Sequence, residues 1–235
     1  MEDSKLFKYH RAVIVVPFLA VFSIWFVYWI EMRFGFNWTK YGIYPQTIKG
    51  LRGIICSPFI HSGTSHLFNN SVPLAVLLTA LYFFYRKLAS KILFYGFFLT
   101  GTLTWSFARE SYHIGASGIV YMLFSFIFFS GVLRKHYRLL AVSMIVVFLY
   151  GSMVWYVFPI KEGISWEGHS SGFIVGFLLA IIYRKKGPQK KEMEYKQTSF
   201  DLLFDEDGNY NPPEIKEEKE EIEVNYILTK KKSED

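Results

Sequence analysis

From Ala12 to Ile30 the chain runs nineteen residues without a charge. A membrane helix needs about twenty mostly apolar residues to cross the hydrocarbon layer. The stretch is too long for a signal-peptide core, and no small-residue cleavage site follows it, so an uncleaved first span is expected. Five more apolar stretches follow, at about 67–85, 89–108, 115–133, 139–159 and 167–183. One short apolar run by itself fits a buried soluble helix, but six in succession with charged punctuation point to a bilayer. The expected fold class is an all-α membrane protein, a six-helix transmembrane bundle over 12–186.

The charges set a direction. Lys5, Lys8 and Arg11 precede the first stretch, and Arg86, Lys87 and Lys91 separate the second from the third. Arg134, Lys135 and Arg138 separate the fourth from the fifth, and Arg184, Lys185 and Lys186 follow the sixth. These are alternate connections, hence one side, and the positive-inside rule makes it the cytoplasm. Both termini, 1–11 and 187–235, are expected there. Of the twenty acidic residues only six precede residue 184, so fourteen crowd the last fifty-two positions. That charged tail has too little apolar surface to offset its ordering entropy and is expected to be disordered. The net charge of +6 comes with no basic helix face, so no nucleic-acid partner is expected. The loop between the first two stretches is rich in Trp, Tyr, Phe, Pro and Gly; it reads as a structured outer support or an interfacial loop.

Polar groups at membrane depth are costly and call for a reason. Three clusters stand out, each at the outer end of a stretch. Gly115-Ala116-Ser117-Gly118 opens the fourth, placing a serine in a first turn where free N–H groups and positive potential favour an alkoxide. Taken alone, such small residues more often mean helix packing. The sixth stretch opens with His169, followed by Gly172 and Gly176 on the same face. That glycine stripe suits close packing against Gly118, which would bring His169 to the depth of Ser117. The third cluster, His61 through Asn70, stacks His66 and Asn70 at i and i+4, two donors for developing negative charge.

Absences narrow the chemistry. No His-Glu-x-x-His occurs, which excludes that class of zinc protease, and no metal site or cofactor is expected. No Asp lies in any stretch, which excludes a paired-aspartate protease. With no intramembrane Asp or Glu near His169, the expected unit is a dyad, and Tyr121, one turn after Ser117, is the candidate for setting the histidine tautomer, its ring stacked on the imidazole. Cys56, the lone cysteine, reads as packing.

Together these residues resemble the rhomboid family of intramembrane serine proteases. The resemblance covers roughly 10–184 and rests on Gly115-x-Ser117-Gly118 with Tyr121, His169 with Gly172 and Gly176, and His66-x-x-x-Asn70 preceded by His61. It implies a Ser117–His169 dyad in a cavity open to the outside, with His66, Asn70 and the Ser117 N–H as oxyanion hole and His61 in support. It also implies transmembrane protein substrates, the lipid bilayer as partner, and no cofactor. The Trp-Arg pair common in the family's first outer loop is not evident; Arg52-Gly53 sits nearby. Two other function classes stay open: a catalytically silent chaperone or adaptor that binds membrane helices, and a small-solute channel. The first usually lacks the serine or histidine, and the second calls for polar residues through the full depth of the spans.

Overall fold

The computed structural model describes residues 9–160, 163, 165–189, 197–211, 224 and 226, the side chain of Met153 excepted. Six long helices carry the fold: α1 (Ala12–Phe34), α2 (Thr64–Phe84), α3 (Ala89–Phe107), α4 (Ser117–Arg134), α5 (Tyr137–Tyr150) and α6 (Trp166–Ile182). A single α-turn, Gly53–Cys56, lies in the loop between α1 and α2, and no strand occurs among the described residues. By length and composition α1, α2 and α4 can each cross a membrane. The 139–159 stretch is not one helix, because the chain tightens into a 3-10 segment, Gly151–Val157, after α5.

The central element is α4. Val120 through Ile127 are all buried, as expected of a helix that is apolar on every side. Its partner is α6, whose glycines allow main-chain contact. A Cβ added to Gly172 would run into the Gly118 carbonyl, and one on Gly176 into the carbonyl of Met122. The Ser125 hydroxyl donates to the Phe173 carbonyl at 2.7 Å and fixes the register of the pair. On the other flank Gly131 makes room for Ser143 of α5, whose hydroxyl lies 2.8 Å from the Leu139 carbonyl and 3.1 Å from that of Ile127.

The most peripheral helix is α1, with 17% of its apolar window buried against 61% for α4. Three side-chain bonds hold it to α2 and its flanks: Trp25 Nε1 to Ser71 Oγ at 2.9 Å, Tyr28 Oη with Thr64 Oγ1 at 3.0 Å, and His10 Nε2 with the Tyr82 carbonyl at 3.0 Å. At the end of the bundle away from Ser117, Arg134 is buried. It donates to the Tyr183 carbonyl at the close of α6 and lies over the Tyr85 ring at the close of α2. Helix C-termini concentrate negative potential, which suits a guanidinium there.

The loop between α1 and α2 is folded and docked. Trp105 Nε1 of α3 donates to the Thr47 carbonyl at 2.9 Å, and Gln46 N to the Trp105 carbonyl at 3.0 Å. Ile43 and His113 exchange both main-chain bonds. Arg52 lies over the Tyr41 ring at 4.4 Å and donates to the Lys40 carbonyl. The loop thereby braces the segment that leads into α4.

Glu192–Asp235 forms a second unit. The expectation of a disordered tail falls largely on residues outside those described, but 197–211 departs from it. Asp201 Oδ2 accepts both the N–H and the hydroxyl of Thr198 at 2.6 Å. Phe200, Phe204 and Tyr210 form consecutive ring contacts around a Phe204–Tyr210 bridge. Local side-chain capping and a small aromatic cluster give this stretch a turn that its charge content alone does not suggest.

Candidate active site

Ser117 is the first residue of α4 and His169 lies in the first turn of α6. Gly118 and Gly172 let the two helices meet at the main chain, so the side chains converge. Ser117 Oγ lies 3.0 Å from His169 Nε2. On the far side of the ring, His169 Nδ1 lies 2.9 Å from the Tyr156 carbonyl oxygen. A carbonyl only accepts, so the imidazole proton sits on Nδ1 and Nε2 keeps a lone pair for the Ser117 hydroxyl. The Tyr121 ring stacks on the imidazole at 4.2 Å and 10°. Tyr121 therefore fixes the plane of the ring, but it does not set the tautomer, as the sequence suggested; the main chain of Tyr156 does. Nothing in the side chains could have signalled an acceptor that every residue carries.

His66 and Asn70 flank Gly115, two residues before the serine. Gly115 has φ +103, and a Cβ there would sit 2.7 Å from His66 Nε2 and 3.6 Å from Asn70 Nδ2. Only glycine combines that backbone angle with that proximity. Ser62 Oγ lies 3.2 Å from His66 Nδ1; if the hydroxyl donates, Nε2 carries the proton and faces the site as a donor. Asn70 spends one amide hydrogen on the His66 carbonyl at 3.1 Å and keeps the other. As the first residue of α4, Ser117 presents an N–H without an intrahelical acceptor. A small cavity of about 40 Å³ adjoins Ser117, lined among others by Thr100, His113, Gly115 and Ser165. That volume is enough to hold water. Among the described residues no three His, Cys, Asp or Glu side chains converge as a metal would require.

A family model of the Rhomboid domain matches residues 49–186. The chain belongs to the rhomboid family. It is 28% identical over 194 residues to uncharacterised proteins of Mycobacterium bovis and Mycobacterium tuberculosis, covering 78% of each chain. An uncharacterised protein of Mycobacterium leprae is 31% identical over 162 residues, covering 64% of this chain and 62% of its own.

Around this site lie further groups, some of which sequence reasoning passed over. Glu167 stands two residues before His169, buried in the first turn of α6, where no acidic residue near the histidine was expected. Its Oε1 faces Arg109 Nε at 3.5 Å rather than the ring. His113 is buried four residues before Ser117, and its Nδ1 lies 2.6 Å from Ser165 Oγ. Cys56 is half-buried beside an apolar pocket lined by Val27, Trp38, Tyr41, Phe59 and Ile60.

His61 stands in the loop before α2, edge-on to His66 with ring centroids 5.0 Å apart. Burial, and next the neighbouring His66, push its pKa from 6.5 down to about 4, against a smaller opposing effect of the Phe59 carbonyl. A histidine depressed in the folded state resists a proton that the unfolded chain accepts. Stability is therefore complete above the unfolded value and falls as pH drops from 6.5 toward about 4. Unfolding midpoints taken between about pH 7.5 and about pH 4.5 should decline in the wild type. His61→Phe should remove part of that decline; an unchanged slope would mean that other groups carry it.

Proposed function

We propose that this rhomboid protein is an intramembrane serine endopeptidase that cleaves transmembrane helices of other membrane proteins near their outer ends. The observation that carries this reading is the 3.0 Å approach of Ser117 Oγ to His169 Nε2, with Nδ1 committed to the Tyr156 carbonyl. In this reading all six helices cross the bilayer over 12–186, both termini face the cytoplasm, and the 187–235 tail lies there too. The basic residues on alternate connections support that orientation.

His169 Nε2 takes the proton of the Ser117 hydroxyl as Oγ attacks the scissile carbonyl carbon. Negative charge forms on the carbonyl oxygen, where the Ser117 N–H, His66 Nε2 and Asn70 Nδ2 are the available donors. The imidazolium then gives its proton to the leaving amine as the C–N bond breaks. Water attacks the acyl-enzyme with His169 again as base, which releases the acid and restores Ser117. An intact substrate helix shields its carbonyls with its own hydrogen bonds. Substrates with glycine or proline near the outer end of the span are therefore preferred, because they unwind there at lower cost.

The test is chemical. A fluorophosphonate should label the purified protein at Ser117, located by peptide mass spectrometry, and a reconstituted transmembrane substrate should be cut. Absence of both across a substrate panel would favour a helix-binding adaptor instead. Within the proposed oxyanion hole, His66→Ala and Asn70→Ala should each lower kcat by about a hundredfold, with KM much less affected. A loss confined to KM would place these residues in substrate binding.

A further inference from the structure

The Ser117–His169 contact has a counterpart four residues upstream on both segments. His113 precedes Ser117 by four residues, and Ser165 precedes His169 by four. His113 Nδ1 lies 2.6 Å from Ser165 Oγ, shorter than the 3.0 Å of Ser117 to His169, and both contacts join residues 52 apart in sequence. The residue types are exchanged: histidine stands on the α4 side and serine on the α6 side.

The protons of this second pair are assigned by its surroundings. His113 Nε2 lies 3.0 Å from the Arg109 carbonyl. A carbonyl accepts, so Nε2 carries the hydrogen, and neutral Nδ1 accepts from the Ser165 hydroxyl. Ser165 is the N-cap residue of α6, and its carbonyl oxygen accepts from His169 N at 3.3 Å. One residue thus holds the catalytic helix by its main chain and the α3–α4 loop by its side chain. Two further ties fix that loop: the paired main-chain bonds of His113 with Ile43, and the bond from Arg109 N to Glu167 Oε1 at 3.4 Å. His113 is 5% exposed and its ring nitrogens are both engaged, by Ser165 and by the Arg109 carbonyl.

We propose that His113, through its hydrogen bond to Ser165, is a positioning residue that sets the distance between Ser117 and His169. The proposal rests on the reading of that pair as catalytic. Ser117 is joined to His113 by a short loop and His169 to Ser165 by one helical turn. Loss of the upstream bond leaves the glycine contacts of α4 and α6 to hold the bundle, but frees the two segments to shift locally. Attack geometry is sensitive to displacements of an ångström, so the consequence falls on turnover rather than on folding.

His113→Phe, His113→Gln and Ser165→Ala are compared with wild type in detergent, by cleavage kinetics, thermal unfolding and 15N-histidine NMR. His113→Phe and Ser165→Ala should each lower kcat by about ten- to a hundredfold, with KM and the unfolding midpoint nearly unchanged. Their double variant should lose no more than the worse single one, because both delete the same bond. His113→Gln, which keeps a donor and an acceptor, should recover part of the loss. The side-chain nitrogen resonances of His169 should move in His113→Phe and in Ser165→Ala. The proposal is overturned by kcat within about twofold of wild type in both variants, or by activity falling only in step with the unfolding midpoint. A wild type that neither cleaves nor labels would count against the protease reading alone. In that case unmoved His169 resonances would overturn the positioning role and moved ones would support it.

Discussion

Replacing either Ser117 or His169 by alanine should lower kcat by at least about a thousandfold, and replacing both should lower it little further. The reason is the single hydrogen bond between Ser117 Oγ and His169 Nε2. Without the imidazole, the hydroxyl keeps its proton and remains a weak nucleophile. Without the hydroxyl, the imidazole has nothing to activate. In the proposed dyad the two side chains act as one unit, so their losses should not add. The double variant is the informative one. A product of two independent losses would mean that each residue serves a different step, and the dyad would have to be abandoned. Labelling by a fluorophosphonate should vanish in Ser117→Ala and slow sharply in His169→Ala. Binding of a substrate helix should persist in both variants, since neither change adds bulk that would block the site.

The largest effect on folding is expected at Gly172. A Cβ at this position would run into the Gly118 carbonyl oxygen and approach Met122 N to 3.1 Å. Both obstacles are main chain within the central helix, and neither can rotate aside. Gly172→Val should therefore force α4 and α6 apart at a cost of about 3 kcal/mol or more. That corresponds to a fall in unfolding midpoint on the order of 10 °C. Activity should disappear with it, because the same contact brings His169 to Ser117. Gly151→Ala provides the contrast: its Cβ would meet only Val147 Cγ1, at 3.4 Å. That change should leave the midpoint unaltered or slightly raised. Equal behaviour of the two variants would mean that glycine at 172 serves no packing purpose.

What could be read from the sequence were side chains of the wrong polarity in apolar surroundings. Ser117, His169, His66 and Asn70 are polar residues at the starts of apolar stretches, and they lie together in the structure. The glycines at 118, 172 and 176 were legible for the same reason, since small residues at helical spacing describe a face. The helix that tightens after Tyr150 was not legible, because an apolar run looks the same whether it winds at 3.6 residues per turn or three. His113 and Ser165 escaped notice because each sits in a loop or at a cap, where polar residues are ordinary. Glu167 escaped the expectation of no acid near His169 because it stands at the very start of its stretch, where acids are common. The folded turn at 197–211 was masked by the charge of the tail around it.

The carbonyl of Tyr156, which fixes the proton of His169, belongs to no particular side chain. Any amino acid at position 156 would supply the same oxygen, so a scan that replaces residues one at a time would pass over it in silence. What that oxygen depends on is how the 3-10 segment is seated on α6, where the Ser170 hydroxyl donates to the neighbouring Val157 carbonyl at 2.6 Å. The proton of the imidazole is thus governed by main chain whose place is kept by the residue that follows the histidine.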